Sequence, residues 1–419
     1  MDSSKGELLN NKNTNIISNN KSKKLKKIFK RRQIVNKNNI KSIENNNTNK
    51  NNIIKIRNPA VDLLRLISMY GIVINHILYF GNGMGKYQKY QRQLKLLHII
   101  LFFHNNSFSL ISGIVGYKTN KYSNLLYLWL STVFYSVGSH VYYKYIKHKS
   151  DIDNDISVNF FPVIYRRYWY ITAYFGMYLF LPIVNKGISI LTKSELKLVV
   201  ISTIGIFAFW RDLKNITKDN FQLNGGGCSL WLMTLFVVGA YIGKYKINLS
   251  IRKKIILCMV CLFFYYSSTL LYYKSINNKL NFGSSYYGRK IAEKLKIILT
   301  ERYDSILKIV QSISVTLFFL QLKYNKYLSK IIIFLGQRAF GIYLFHANKL
   351  VNKYFVGNLF KNDPSNLSLN AAIKVVLLKA LKVCMMGIGI EYIRYLLFNI
   401  LRIRKICIFL EKLIFKIFG

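Results

Sequence analysis

The chain has 419 residues, 52% of them hydrophobic, yet its formal net charge is +46. That combination excludes an ordinary water-soluble globular domain and equally an unfolded chain with nothing to bury. The apolar residues are gathered into long runs with the basic ones between them, the pattern of a polytopic all-α membrane helical bundle.

Residues 1–56 are rich in Asn and Lys, with NNN at 45–47 and the basic cluster KSKKLKKIFKRR at 21–32. Such a composition cannot form a core, so a disordered cytosolic tail is expected. It is no secretory signal, because no apolar stretch follows the charges. The cluster reads as a solvated tail or as a surface for anionic lipid; beside a membrane span, lipid outranks RNA, and no nucleic-acid partner is expected. Fifteen Lys and Arg before the first span place the N-terminus in the cytosol.

Ten membrane-length stretches follow, about residues 61–80, 97–117, 125–145, 168–184, 196–210, 228–247, 255–273, 306–322, 331–351 and 372–397. Residues 57–402 thus form the transmembrane domain. An even count returns the C-terminus to the cytosol, where 403–419 read as an amphipathic tail resting on the membrane surface. Most loop acids, among them Asp151, Asp153, Asp212, Asp219, Glu293, Glu301, Asp304 and Asp363, then lie outside. The sequons at Asn215 and Asn366 also fall outside and that at Asn248 inside.

The first span, PAVDLLRLISMYGIVINHILYFG, holds three ionisable residues, Asp62, Arg65 and His76. Charge inside a membrane is costly enough to point to function. At about 100° per residue, the eleven positions from Arg65 to His76 bring both onto one face, roughly 16 Å apart along the axis. Asp62 shares that face one turn earlier. Arg65 cannot shed its charge and needs an anion, either Asp62 in a plain surface pair or an anionic ligand. His76 is placed to accept a proton from a hydroxyl, or merely to bond a neighbouring backbone carbonyl.

Other polar residues follow along the chain. His104, beside Asn105 and Asn106 inside the second span, is either a packing residue or a lining residue of a cavity shared with Arg65 and His76. Lys118 and Lys121 precede the third span. Trp169, in RRYWYITAY at 166–174, suits an aromatic belt or a stack on a sugar ring. Gly225–Gly227 match neither a P-loop nor a dinucleotide fingerprint, which leaves a loop bend or close helix packing. His346 ends the run GIYLFH, as an acceptor-binding or an interfacial residue. The remaining histidines, His98, His140 and His148, form no metal-ligand spacing, and no metal is expected. Of five cysteines, Cys258 and Cys261 make a CxxC inside a span, where small apolar packers are the simpler account.

An Asp-led first span with Arg, ten residues and then His resembles the membrane acyltransferase-3 family. Four further stretches recur in that family's order: LISGIVGY at 110–117, YWYITAYFGMYLFLPIVN at 168–185, SLWLMTLFVVGAYIGKY at 229–245 and LGQRAFGIYLFHAN at 335–348. The resemblance covers residues 57–401. It implies an integral membrane O-acyltransferase that moves an acyl group, usually acetyl, from acyl-coenzyme A to a hydroxyl of a carbohydrate or glycolipid. It also implies that Arg65 and His76 are the essential pair; Asp62, at i−3, is placed to orient Arg65. Acyl-coenzyme A enters as a co-substrate, with no bound cofactor. The family's arginine-rich stretch at the third span is replaced here by YKTNKYSNLLYLWL, so Lys118 and Lys121 stand where guanidinium groups would hold the donor. The alternative is a transporter without chemistry, though no internal repeat supports it.

Overall fold

The computed structural model describes residues 57–153, 155–214, 219–245, 250–276 and 302–418. The basic tail 1–56, the sequons at Asn215 and Asn248, and the loop acids Glu293 and Glu301 lie outside the described residues. From Asn58 onward the chain clusters as one unit, and its described residues hold helices and no strand. Helices lie in the described part of each of the ten predicted stretches, three of them in the ninth. Four of them, Pro59–Tyr79, Gln88–Gly116, Ile251–Leu271 and Lys326–His346, are long and apolar enough to cross a membrane.

Helix α1, Pro59–Tyr79, begins where local chemistry favours it. Asn58 Oδ1 accepts the Ala60 N–H at 3.0 Å, Pro59 needs no donor at the first helical position, and Asp62 meets the positive end of the helix dipole. Packed round α1 are α2 (Gln91–Leu101), α3 (His104–Gly116), α9 (Ile306–Gln321), α10 (Lys326–Gly336), α11 (Ala339–His346) and α12 (Leu369–Ile400). Between α3 and α9 the chain runs through α4 (Tyr122–Val141), α5 (Trp169–Ile190), α6 (Lys193–Ile204), α7 (Ser229–Lys244) and α8 (Ile251–Ile276); α13 (Ile403–Phe418) follows α12. Helix α13 packs on α4, where Arg404 bonds Asn124 and Cys407 is buried. Helix α8 instead leaves Ile255, Ile256, Met259, Phe263 and Tyr266 exposed, the face a lipid-contacting helix presents.

The tightest pairing is α3 against α7. A side chain on Gly239 would come within 2.0 Å of the Leu110 carbonyl oxygen, and one on Gly243 within 2.6 Å of that of Ile114. These two glycines form a small-xxx-small stripe that lets two backbones touch. Asn106 Oδ1 then accepts the Trp231 indole N–H at 3.2 Å, which sets the register.

Two predicted spans are broken rather than straight. The second turns at Phe102–Phe103, between α2 and α3, where the Phe102 N–H takes the tighter bond to the Ile99 carbonyl. The ninth turns at Gln337–Arg338, between α10 and α11. Each break swings a histidine inward, His104 and His346.

Candidate active site

Helix α1 carries the two halves of the site at its two ends. Near its start, Arg65 Nη1 donates to Asp62 Oδ1 at 2.5 Å. Asp62 is 1% exposed while Arg65 keeps 22% of its side chain open. Gly336 closes over Asp62: a side chain there would stand 2.6 Å from the Asp62 Cβ.

Near the end of α1, His76 meets His346 of α11 with ring centroids 4.9 Å apart. His346 is fully buried. Its Nδ1 lies 2.6 Å from the Ile342 carbonyl oxygen. A carbonyl only accepts, so Nδ1 carries the hydrogen and the neutral ring's Nε2 is left as an acceptor. Among the described residues that Nε2 has no hydrogen-bond partner, and neither has the buried Nδ1 of His76. The end of α11 is held in place by Tyr168, whose hydroxyl donates to the Leu344 carbonyl at 3.1 Å and accepts from Asn348 at 2.8 Å.

His104 stands beside this pair. Its Nε2 is 2.6 Å from Asn75 Nδ2, an amide donor, so its own hydrogen sits on Nδ1. Behind it lie His98 and Lys308, both buried. Lys308 rests over the Phe102 ring at 4.8 Å and donates to Gln311 Oε1 at 3.1 Å. The structure therefore brings His76 and His346 into ring contact and ties His104 to α1 through Asn75.

Rings connect this histidine end to an open cleft of about 520 Å³. Tyr303 stacks on Phe102 at 4.7 Å and on Trp169 at 6.0 Å, and Phe102 in turn touches His98 and His104. Trp169 and Tyr303 line the cleft with Arg166, Arg302 and Asn224. The glycines at 225–227 make the bend that seats Tyr303. Gly225 and Gly226 have φ of +61° and +89°, and the Gly225 carbonyl accepts the Tyr303 N–H at 2.9 Å.

A second cleft, of about 570 Å³, opens at the other end. Because Ile111 of α3 packs with Val61 and Leu64 of α1 while His104 meets Gly71 and Asn75, the two helices are antiparallel. The last turn of α3 therefore lies at the Arg65 end. Lys118 lines this cleft together with Lys186 and Lys244. Lys121 does not line it; its side chain is exposed, and its backbone carbonyl accepts the Tyr178 hydroxyl at 2.9 Å. Lys244 is pinned to the Ile188 and Leu191 carbonyls at 2.5 and 3.0 Å.

A family model described as an acyltransferase domain matches residues 58–384, more than three quarters of the chain. The chain belongs to the acyltransferase-3 family. No curated protein and no solved structure matches it. It is a membrane acyltransferase, and the matched segment contains every residue of both clefts and of the histidine group.

Several residues of this acyltransferase escape a reading by sequence alone. Lys186 and Lys244 join Lys118 only through the packing of α5 and α7. Arg302 and Tyr303 sit in a loop with no motif, and Lys308 opens an ordinary apolar helix. Glu391 and Arg394 lie within the last span, where E-x-x-R repeats the D-x-x-R spacing of α1 and was the available signal. They form a buried pair at 2.5 Å, closed by Tyr135 to Glu391 at 2.8 Å and by Arg394 to Tyr127 and Ser131 at 3.1 and 3.3 Å.

Proposed function

We propose that this acyltransferase moves an acyl group, acetyl in the simplest case, from acyl-coenzyme A to a hydroxyl of a carbohydrate or glycolipid. The observation that carries this is the His76–His346 pair, two imidazoles 4.9 Å apart, His76 partly open and His346 buried with its tautomer set by the Ile342 carbonyl. In this reading His76 takes the proton of the acceptor hydroxyl. The oxygen then attacks the thioester carbonyl, the carbon–sulfur bond breaks, and the departing thiolate receives the proton from His76. His346 and His104 orient the ring and the hydroxyl.

Coenzyme A is too charged to cross a bilayer, so its phosphates stay on the cytosolic side. The cleft with Lys118, Lys186 and Lys244 offers them a positive wall, and Arg65, oriented by Asp62, offers paired donors. Lys121 contributes charge at the mouth. The thioester arm then covers the roughly 16 Å from Arg65 to His76. Both termini face the cytosol in this arrangement, with the basic tail beside anionic lipid. The direct test is purified protein in liposomes with radiolabelled acetyl-coenzyme A and a panel of sugars. Label transferred to a sugar hydroxyl upholds the reaction. Solute movement across the bilayer without label transfer sinks it and favours a transporter.

A further inference from the structure

The cleft at the histidine end has a chemistry of its own. Two arginines, Arg166 and Arg302, face it together with Trp169, Tyr303 and Asn224. The charges behind it are balanced in a particular way. Asp304, wholly buried, takes Arg211 at 2.5 Å and Arg302 at 3.1 Å, and Asp212 takes Arg211 at 3.1 Å while accepting the Ile306 N–H. Two carboxylates thus answer Arg211 and Arg302, and Arg302 is held rigidly with its side chain 26% open. Arg166 stands outside that account: it is exposed, and among the described residues it has no carboxylate partner. Two guanidinium groups thus face the cleft, and no carboxylate is among its lining residues.

The backbone round the cleft is also unusual. Arg166 has φ of +49° and Asn224 of +50°, both in the left-handed region that side chains disfavour, and Gly225 lies beside them at +61°. Such conformations persist where the surroundings enforce them, and they gather at ligand sites. Here the enforcement is visible, since Asp219 accepts the Leu223 and Asn224 N–H groups at 2.8 and 2.6 Å. A fixed guanidinium, a strained one and an indole on one wall match a flat ring that bears an anion.

We infer that this cleft binds an acidic sugar, its ring against Trp169 and its carboxylate or phosphate between Arg166 and Arg302. The stack Trp169–Tyr303–Phe102 packs between this cleft and His104. This inference deepens the carbohydrate acyltransferase reading and rests on it.

The test uses the full chain in nanodiscs with trigalacturonate, a trisaccharide ending in mannose 6-phosphate, and neutral galactotriose. Binding is followed without any donor, by quenching of tryptophan fluorescence, and acetyl transfer is measured separately. At least one acidic probe is expected to bind about tenfold tighter than the neutral one or better, the scale of one charge-assisted hydrogen bond. Whichever acidic probe wins tells carboxylate from phosphate. Arg166→Gln, at an exposed position where folding is safe, is expected to erase that preference, and Trp169→Ala to weaken all three probes. Equal binding of acidic and neutral sugars, or a preference that survives Arg166→Gln, overturns the inference. Acidic preference with no transfer to any sugar upholds the binding site and overturns the proposed reaction; transfer with no acidic preference does the reverse.

Discussion

Two acid–arginine pairs in this acyltransferase share one spacing and one bond length but not one fate. Asp62–Arg65 in α1 and Glu391–Arg394 in α12 are both i,i+3 pairs closed at 2.5 Å. Arg394 is 6% exposed and Glu391 9%, and Tyr127, Ser131 and Tyr135 from one face of α4 complete their bonds. That pair clamps α12 to α4 and has no room for a ligand. Arg65 is 22% open beside a buried Asp62. An arginine with a buried partner and an accessible edge is oriented yet still able to receive an anion. Intramembrane charge therefore marks importance, and only its surroundings tell a clamp from a binding group.

The comparison is broken most forcefully at Glu391. Glu391→Ala strands the buried Arg394 guanidinium and is expected to cost about 3–5 kcal/mol, a large fall in the melting temperature of detergent-solubilised protein. If the melting temperature did not move, Glu391–Arg394 would not be a clamp. Arg→Lys at each pair is the sharper experiment, because it keeps the charge and removes the planar fork. Arg65→Lys is expected to raise KM for acyl-coenzyme A about tenfold at nearly unchanged melting temperature; Arg394→Lys is expected to do the opposite, lowering stability and sparing KM. Identical responses at both positions would erase the distinction.

The smallest effect is expected at a third, exposed pair that joins Asp151 in the loop after α4 to Lys353. Lys353 and Tyr354 donate to Asp151 and hold its carboxyl down at about 2, below its ordinary range. A depressed folded pKa gives stability that is complete above the ordinary carboxylate range and is lost as pH falls through about 2. Asp151→Asn should move the melting temperature by no more than about 2 °C at pH 7. That difference should vanish as the pH approaches 2. A difference that grows on acidification would contradict the assignment.

How much of this was legible beforehand follows from the range of each contact. The helical bundle, α1 and the shared face of Asp62, Arg65 and His76 are local properties of periodicity and composition. The break at Phe102–Phe103 was not visible, because it carries neither Gly nor Pro, and that at Gln337–Arg338 was signalled only by the single Gly336; the second brings His346 to His76. Lys186, Lys244, Arg302 and Tyr303 enter the clefts through pairings across long stretches of chain, which no local pattern encodes. Glu391 and Arg394 could have been noticed, since they repeat the very spacing that made α1 conspicuous.

The central claim is that His76 moves the proton while the Arg65 end holds the donor. It is tested most directly with His76→Gln protein in liposomes, measuring acetyl transfer and acyl-coenzyme A binding on the same preparation. The account predicts a loss of transfer of about 100-fold or more with donor binding intact. Transfer at the parent rate, or a loss explained entirely by failure to bind the donor, would contradict it.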